Sequence, residues 1–386
     1  MKNPTAPITR GRAAHLQVPA LLAAVLLVGA NAFVLSPILS EVATGLNTEP
    51  YRIAWSISVF GAATAISSLT LAGLIDRMPA GRILGGAAIL LALAETASAA
   101  SQSWLWLALA QAVAGIATGI LLPGTYATAA ATAPKGREAG RMGTVLTGWA
   151  MALVMAVPLA AVVADRFGWR LVYILLAALS TIVAILLNVA LREVQSNAIG
   201  RTQPWNALRL PGVAPLLLVM FTYMTAFYGS FAFFGEGVRE AFELSTRHTG
   251  TYILAYGLGF GLAGIVISIA TPQISRGYIM TILVAITASY ASWRLALATK
   301  ELAFVAAVIW GALNQLGLNA LVVSLNRCAA DTRGAVMGLN SAVTYSAVFA
   351  GPLVMGPLYL SAGFPAVSSL AAVLVAIGAL VSWRKI

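Results

Sequence analysis

The stretch Leu71–Arg82, with the sequence LAGLIDRMPAGR, decides how the rest of the chain is arranged. Long apolar segments precede and follow it, whereas the stretch itself carries Asp76, Arg77 and Arg82 beside Pro79. A charged loop this short cannot form a domain of its own. It holds the ends of two long helices close together, and the apolar character of those helices places the loop at a membrane surface.

The composition is that of an integral membrane protein. The chain has 386 residues, of which 60% are hydrophobic and only 9% are charged, whereas soluble domains have about 25% charged residues. The formal net charge of +11 by itself also allows nucleic acid or anionic lipid as a partner. Cys328 is the only cysteine, so the sequence predicts no disulfide within the chain, no metal cluster and no cofactor.

Apolar runs bounded by charged residues, Gly or Pro predict twelve membrane spans, because a helix needs about 20 apolar residues to cross a bilayer. The expected bounds are 17–39, 51–74, 83–101, 104–128, 143–164 and 171–191 for the first six, and 211–234, 248–272, 278–293, 302–325, 334–360 and 364–383 for the last six. The fold class is therefore all-α. We expect an N-terminal six-helix bundle over 1–191, a cytoplasmic linker over 192–210 and a C-terminal six-helix bundle over 211–386.

The distribution of basic residues predicts the orientation. With the N-terminus inside, 16 of the 23 Lys and Arg residues fall in cytoplasmic segments and 7 fall outside. Cytoplasmic loops of membrane proteins carry such an excess. Both termini are therefore expected to be cytoplasmic, and the positive charge needs no nucleic-acid partner to explain it.

An internal repeat supports the division into two halves. Met142 and Met337 each precede a glycine at the start of a span, and 195 residues separate them. Pro158 and Pro352, further along the same spans, are 194 residues apart. Two parallel repeats of six helices are typical of transporters, although a duplicated membrane anchor without transport is the alternative.

Several stretches resemble the major facilitator superfamily. The similarity extends over all twelve spans and is carried by the Asp76-Arg77 loop, Val157-Pro158-Leu159, Phe167-Gly168-Trp169-Arg170, Arg333-Gly334 and Gly338-Leu339-Asn340. The chain resembles the twelve-span drug/proton antiporter branch, near bacterial sugar and purine efflux proteins. That resemblance implies the major facilitator fold and export across the bacterial inner membrane by proton antiport.

Two departures from the pattern of that branch bear on mechanism. Ala160 and Ala161 stand where glycines are familiar in the fifth span. Gln111 stands in the fourth span where this branch often has an arginine linked to proton coupling. A coupling mechanism that depends on that arginine is therefore not implied for this chain.

The loop charges are candidates for conformational gating. The resemblance implies that Asp76 and Arg77, with Arg82 and with Arg333 before the eleventh span, latch the two halves in one state and release them in the other. The alternative is that these residues only end helices and supply the charge that sets orientation.

Two glutamates are candidates for proton coupling. Glu95 is the only acidic residue well inside an apolar run, and an ionisable group at membrane depth is a functional candidate. Alternatively it snorkels or makes a local hydrogen bond near the outer end of a peripheral helix. Glu236 begins a cluster with Arg239, Glu240 and Glu243, which the sequence favours as a solvated helix end over a proton entry site. Glu236 is nearest the apolar run and is the member for which the proton entry site remains most open.

A substrate cavity needs a few polar groups in an apolar wall. The resemblance places the first, fourth, seventh and tenth spans around that cavity, and neighbouring spans add further groups. The candidates are Asn31, Gln111, Thr222, Tyr223, Tyr228, Tyr256, Asn314, Gln315, Asn319, Asn340 and Tyr345. Each of them also suits an interhelical hydrogen bond. Together they predict a largely uncharged substrate that is partly polar or aromatic.

The sequence therefore predicts a monomeric exporter that moves a small organic solute by alternating access in exchange for protons. A facilitator or importer of a small metabolite in the same fold is the first alternative, and a membrane receptor without flux is the second. No enzyme is indicated, because the chain has neither a phosphate-binding glycine loop with lysine nor a metal-ligand cluster.

Overall fold

The computed structural model describes residues 14–71, 78–134, 137–192, 194, 208–270, 273–328 and 333–385. All regular secondary structure within those ranges is helical, as predicted. We call the helices up to residue 192 the first-half helices and those from residue 208 onward the second-half helices.

The first-half helices follow the predicted spans closely. After a short 3₁₀ turn, they are α1 Gln17–Phe33, α2 Leu35–Gly45, α3 Pro50–Thr70, α4 Ala80–Ala99, α5 Trp104–Ala131, α6 Glu138–Met151, α7 Val157–Phe167 and α8 Trp169–Ala190. A π-helical turn, Ala152–Ala156, joins α6 to α7.

The second-half helices repeat this arrangement. They are α9 Val213–Phe242, α10 Thr246–Ala270, α11 Arg276–Ala291, the short α12 Trp293–Ala296, α13 Lys300–Cys328 and α14 Arg333–Lys385. The largest difference from the prediction is at the end of α9, which continues to Phe242 instead of ending near residue 234.

The helices account for the twelve predicted spans. Among the described residues, nine helices are long and apolar enough to cross a membrane, and the pair α1 and α2 makes a tenth. Gly363 interrupts α14 with non-helical backbone angles, which divides its 53 residues into two spans. The remaining span is α11, whose 16 residues are fewer than a span usually has.

Two prolines explain the irregular spans. Pro37 lacks an N–H and its ring displaces the carbonyl four residues back, at Phe33, and α1 ends at that residue. The axis bends by 50° between α1 and α2. Pro158 has the same effect on the carbonyl of Val154, which lies in the π-helical turn.

The repeat is visible as two matching corners. Gly168 ends α7 with φ 83°, and Gly363 interrupts α14 with φ 68°. The two glycines are 195 residues apart, as are Met142 and Met337. A positive φ is strained for residues with a Cβ, so both spans require glycine where the chain turns into the next span.

The helices pack mainly with neighbours from the same half. In the first half, α5 packs against α3 and α4, α4 against α8, and α1 against α6. In the second half, α9 and α11 pack against α14, and α10 packs against α13. The halves meet where α3 packs on α14, α7 on α10 and α2 on α9.

Glycines allow close approaches between helices, among them Gly115, Gly119 and Gly257. A Cβ on Gly119 would lie 2.8 Å from the Thr64 carbonyl oxygen of α3. A Cβ on Gly257 would lie 2.9 Å from the Leu153 backbone. Gly261, one turn further along α10, differs, because a Cβ there would lie 3.9 Å from the nearest atom, an ordinary contact distance.

We predict that Gly119→Ala lowers the thermal stability of the protein, because the added methyl group must push α3 away from α5, at a cost of about 1–3 kcal/mol. The matched control is Gly86→Ala in α4, where no atom lies within 4 Å of the new Cβ. Thermal unfolding of the detergent-solubilised variants measures both. Equal melting temperatures for the two variants would contradict the packing at α3 and α5.

Candidate functional site

An aromatic cluster centred on Phe33 joins the two halves of the molecule. The Phe33 ring centroid lies 5.0 Å from that of Phe231 and 6.1 Å from that of Phe227 on α9. It stacks nearly parallel to Tyr228 at 6.0 Å and meets Trp149 of α6 edge-on at 5.8 Å. First-half and second-half helices therefore meet through rings near the middle of the span that α1 and α2 form.

The cluster continues into the interior of the second half. The Phe227 ring stacks on Tyr256 at 5.9 Å, and Tyr256 lies 4.8 Å from Trp310. Trp310 also contacts Phe234 at 5.2 Å and Trp293 at 5.8 Å. These rings fill the space on one side of Phe33. The helix ends on that side carry Gly45, Pro50, Phe167, Thr246 and Gly363, and we call this end of the molecule the closed end.

On the other side of Phe33, the aromatic side chains carry polar groups, namely an indole N–H and hydroxyl groups. The Trp149 Nε1–H donates a hydrogen bond to the Tyr126 hydroxyl at 2.8 Å, and both side chains are half-buried. Tyr228 of α9 and Tyr345 of α14 lie close enough to Tyr126 for their hydroxyl groups to interact electrostatically. We call Phe33, Tyr126, Trp149, Tyr228 and Tyr345 the central aromatic site.

The predicted pair Asn31 and Gln111 lies inside the first half. The Ser98 hydroxyl donates to the Ala94 carbonyl, so it accepts from the Gln111 amide nitrogen, at 3.2 Å. The Gln111 amide oxygen then accepts from Asn31 Nδ2 at 3.3 Å. Because both side chains are almost fully buried, this chain of bonds links α1, α4 and α5 and does not open onto the central aromatic site.

Three predicted residues come together in the second half. The Tyr223 hydroxyl donates to the Asn314 carbonyl oxygen at 2.7 Å, and Asn314 Nδ2 donates to the Tyr256 hydroxyl at 3.0 Å. These bonds connect α9, α10 and α13. They are the second-half counterpart of the Asn31–Gln111 pair, since both link the first and fourth spans of their half.

The remaining predicted substrate residues have different surroundings. Thr222 donates to its own helix at the Val219 carbonyl, and its hydroxyl lies beside Gly378, away from the central aromatic site. Gln315 and Asn319 are half-buried on α13. Asn340 is 8% exposed, and its amide oxygen has no hydrogen-bond partner in the described part of the chain.

Glu95 lies between α4 and α8, outside the central aromatic site. Its side chain is fully buried, so it does not snorkel to the surface. One carboxylate oxygen accepts a hydrogen bond from Ser180, and the other has no partner among the described residues. The buried Tyr173 hydroxyl lies nearby and also lacks a described partner.

The interpretation of the Glu236 cluster as a solvated helix end is wrong for Glu236 itself. Glu236 is only 4% exposed and lies beside Ser40 of α2. The reason is tertiary: the bend after α1 brings α2 over the last turns of α9. The Arg239 guanidinium pairs with Glu236 at 3.6 Å, and Glu240 accepts from the Tyr359 hydroxyl at 2.7 Å.

The structure describes only part of the predicted gating set. Asp76 and Arg77 lie outside the described residues. Arg82 is exposed at the start of α4, and Arg333 begins α14.

Sequence reasoning missed three members of the central aromatic site, namely Phe33, Tyr126 and Trp149. The sequence criterion was a polar side chain in a helix expected to line the cavity, and the Phe33 ring has no polar group. Tyr126 gave a usable signal, because it is the only aromatic residue in the small-residue stretch LLPGTYATAAA.

We predict that Gln111→Leu lowers the free energy of unfolding by about 1–3 kcal/mol, because it leaves the buried Asn31 amide unpaired. The double variant Asn31→Leu/Gln111→Leu should lower the free energy of unfolding by less than the sum of the two single-variant losses, since both single variants remove the same bond. Chemical unfolding in detergent measures the three values. Additive losses would show that the two amides do not interact.

Comparison with known proteins places the chain in a family. The family model of the Major Facilitator Superfamily matches residues 21–325. A relative from Bacillus subtilis (strain 168), named "Uncharacterized MFS-type transporter YwfA", is 26% identical over 371 residues, which cover 94% of this chain and 90% of that protein.

Solved structures show the same fold. A bacterial homolog to the human lysosomal transporter Spinster, in an inward-facing and occupied conformation, matches with a TM-score of 0.77 at 16% identity over 96% of each chain. Its inward-facing and unoccupied conformation gives a TM-score of 0.74 at 16% identity over 97% of each chain. The chain therefore belongs to the Major Facilitator Superfamily and is a multi-pass membrane transporter with the major facilitator fold.

Proposed function

We propose that this transporter exports a small, uncharged, partly aromatic solute from the bacterial cytoplasm by alternating access, in exchange for protons. In this account it belongs to the drug/proton antiporter branch and works as a monomer in the inner membrane. Its two bundles, 1–191 and 211–386, rock about the central aromatic site, and the 192–210 segment links them on the cytoplasmic side. The observation that carries the proposal is the central aromatic site, to which both halves contribute.

The contacts between the halves favour an inward-facing state. Besides the aromatic rings, a Cβ on Gly235 would lie 2.9 Å from Pro37, and one on Gly250 would lie 2.8 Å from the Ala161 methyl group. These contacts lie between the middle of the helices and the closed end. In this account the N-terminus is cytoplasmic and the closed end is the outer one, so the solute reaches the central aromatic site from the cytoplasm, where an exporter collects it.

The character of the central aromatic site favours an uncharged solute. Aromatic rings give a planar solute large contact areas and stacking partners, while the hydroxyl groups of Tyr126, Tyr228 and Tyr345 offer hydrogen bonds. In the described part of the chain, the site contains no carboxylate or basic side chain. A charged solute would be buried there without a counter-ion, which costs several kcal/mol.

Proton exchange rests on the two buried glutamates. A carboxyl group at membrane depth is expensive to insert and marks a functional position by default. Glu95 is held inside one half by Ser180, whereas Glu236 lies where α9 meets α2 and is uncovered when the closed end opens. Glu95 is therefore the candidate for carrying the proton, and Glu236 is the candidate for responding to the outer gate.

A facilitator or importer is the second candidate function. Gln111 favours it, because this residue stands where the antiporter branch often has an arginine, and its amide nitrogen and amide oxygen already bond to Ser98 and Asn31. Such a protein would equilibrate its solute without a proton gradient.

Transport into everted membrane vesicles tests the proposal. We expect an imposed proton gradient to drive accumulation of an uncharged aromatic solute, such as a nucleoside, more strongly than of a sugar or an organic cation. Trp149→Ala and Tyr228→Ala should each raise the KM about tenfold, as expected from the loss of aromatic contacts. The matched control, Trp106→Ala, removes a ring that is 49% exposed on the outside of the bundle and should leave transport unchanged.

Three results of that assay would contradict the proposal. Equilibration that ignores the proton gradient would favour the facilitator. Stronger accumulation of an organic cation than of the nucleoside would contradict the proposal that the solute is uncharged. Equal losses in Trp149→Ala and Trp106→Ala would remove the central aromatic site from transport.

We predict that Glu95→Gln abolishes proton-driven accumulation but leaves exchange of labelled for unlabelled solute intact. The amide still accepts the Ser180 hydrogen bond, so the fold is kept while the exchangeable proton is lost. Glu49→Gln, which changes an exposed glutamate at the closed end, is the control. If Glu95→Gln accumulates solute with the wild-type dependence on pH, Glu95 takes no part in coupling.

A further inference from the structure

Two carboxylates of the first half reach the first turn of α10 at the closed end. Glu41 of α2 accepts a hydrogen bond from the Thr246 hydroxyl at Oε1, at 2.7 Å. Asp165 of α7 accepts one from the Arg247 backbone N–H at Oδ1, at 3.3 Å. Both bonds cross from one half of the chain to the other.

The first turn of α10 is a favourable place for such contacts. The first N–H groups of a helix have no carbonyl partner within it, and their end of the helix carries a partial positive charge. Ser245 accepts from the His248 N–H at 3.5 Å, which leaves the Arg247 N–H for Asp165. Two carboxylates at this turn therefore complete the helix start, but only while α10 lies against the first half.

The two contacts differ in strength. Thr246 is 3% exposed, so its hydroxyl depends on Glu41 to replace the water it has lost. Asp165 is exposed and its bond is longer, so solvent screens that interaction. Glu41 is expected to be the stronger of the two.

The packing below these contacts links them to the movement of the halves. Gly250 and Gly257, one and three turns into α10, lie against Ala161 and Leu153 of the fifth span. At Gly257 the nearest atoms belong to the Leu153 backbone, and at Gly250 the nearest atom is the Ala161 methyl group, so α10 and the fifth span approach each other closely at both glycines. Opening the closed end separates these helices and pulls the first turn of α10 away from both carboxylates.

We propose that Glu41 and Asp165 form a latch that holds this end of the transporter closed by binding the first turn of α10. The inference rests on the alternating-access part of the proposed function and adds the contacts that set the balance between its two states. It concerns the opposite end of the helices from the charged loop around Asp76.

Spin-label distances across the closed end test the latch directly. With Cys328 replaced by Ser, labels at Gln102 and Ala298 occupy exposed positions on opposite halves at this end. We expect Glu41→Ala to raise the ratio of the open to the closed population about tenfold, the effect of losing one charge-assisted hydrogen bond. Asp165→Asn should raise it less. Glu49→Ala removes an exposed carboxylate from the same end and should leave the distances unchanged.

A double-variant cycle shows whether Glu41 acts through Thr246. Thr246→Val keeps the shape of the side chain but removes the donor, so Glu41→Ala/Thr246→Val should open this end no further than either single variant. Additive effects would overturn the latch, and so would wild-type distances in Glu41→Ala. If Glu41→Ala does not fold, Thr246→Val alone tests the latch: a larger open population supports it, and wild-type distances would overturn it. The distances are measured without solute. If this end opens in the variants but the protein moves no solute, the proposed function is contradicted while the latch is still supported.

Discussion

The bilayer imposes the constraint on which the rest of the structure depends. Lipid offers no hydrogen bonds to the backbone, so each span is helical and the helices cannot rely on the hydrophobic effect to associate. Glycines take over part of that work: Gly115 and Gly119 bring α5 onto α3, and Gly257 brings α10 onto the fifth span. The contacts of Gly115 and Gly119 lie within one half, whereas that of Gly257 crosses the boundary between halves.

Some hydrogen bonds of polar side chains likewise lie within one half, and others cross the boundary between the halves. Asn31–Gln111 and Tyr223–Asn314 each join the first and fourth spans of one half and lie deep inside it. Such bonds keep each half rigid. The bonds of Glu41 to Thr246 and of Asp165 to Arg247 instead cross the boundary at one end, where they can break without disturbing either half. Aromatic rings around Phe33 occupy the boundary itself, beside the hydrogen bond that Ser36 of α2 donates to the Phe231 carbonyl of α9.

The sequence was informative where local rules decide the outcome. Apolar length located the spans, and the 195-residue repeat of Met142 and Met337 agrees with the matching corners at Gly168 and Gly363. It failed where the answer depends on what packs against a residue. The covering of Glu236 by α2 follows from the direction of the bend, and the meeting of Phe33 with rings 194 or more residues away has no local signature.

The central claim is that two rigid halves rock about the central aromatic site, and paired distances at both ends of the helices test it most directly. Labels at Ala131 and Ala270 report on the end opposite the closed end, labels at Gln102 and Ala298 report on the closed end, and labels at Gln102 and Ala131 report on the length of α5. The account predicts that solute shifts the first two distances in opposite directions while the third stays constant. Changes of the same sign at both ends, or a change along α5, would contradict it.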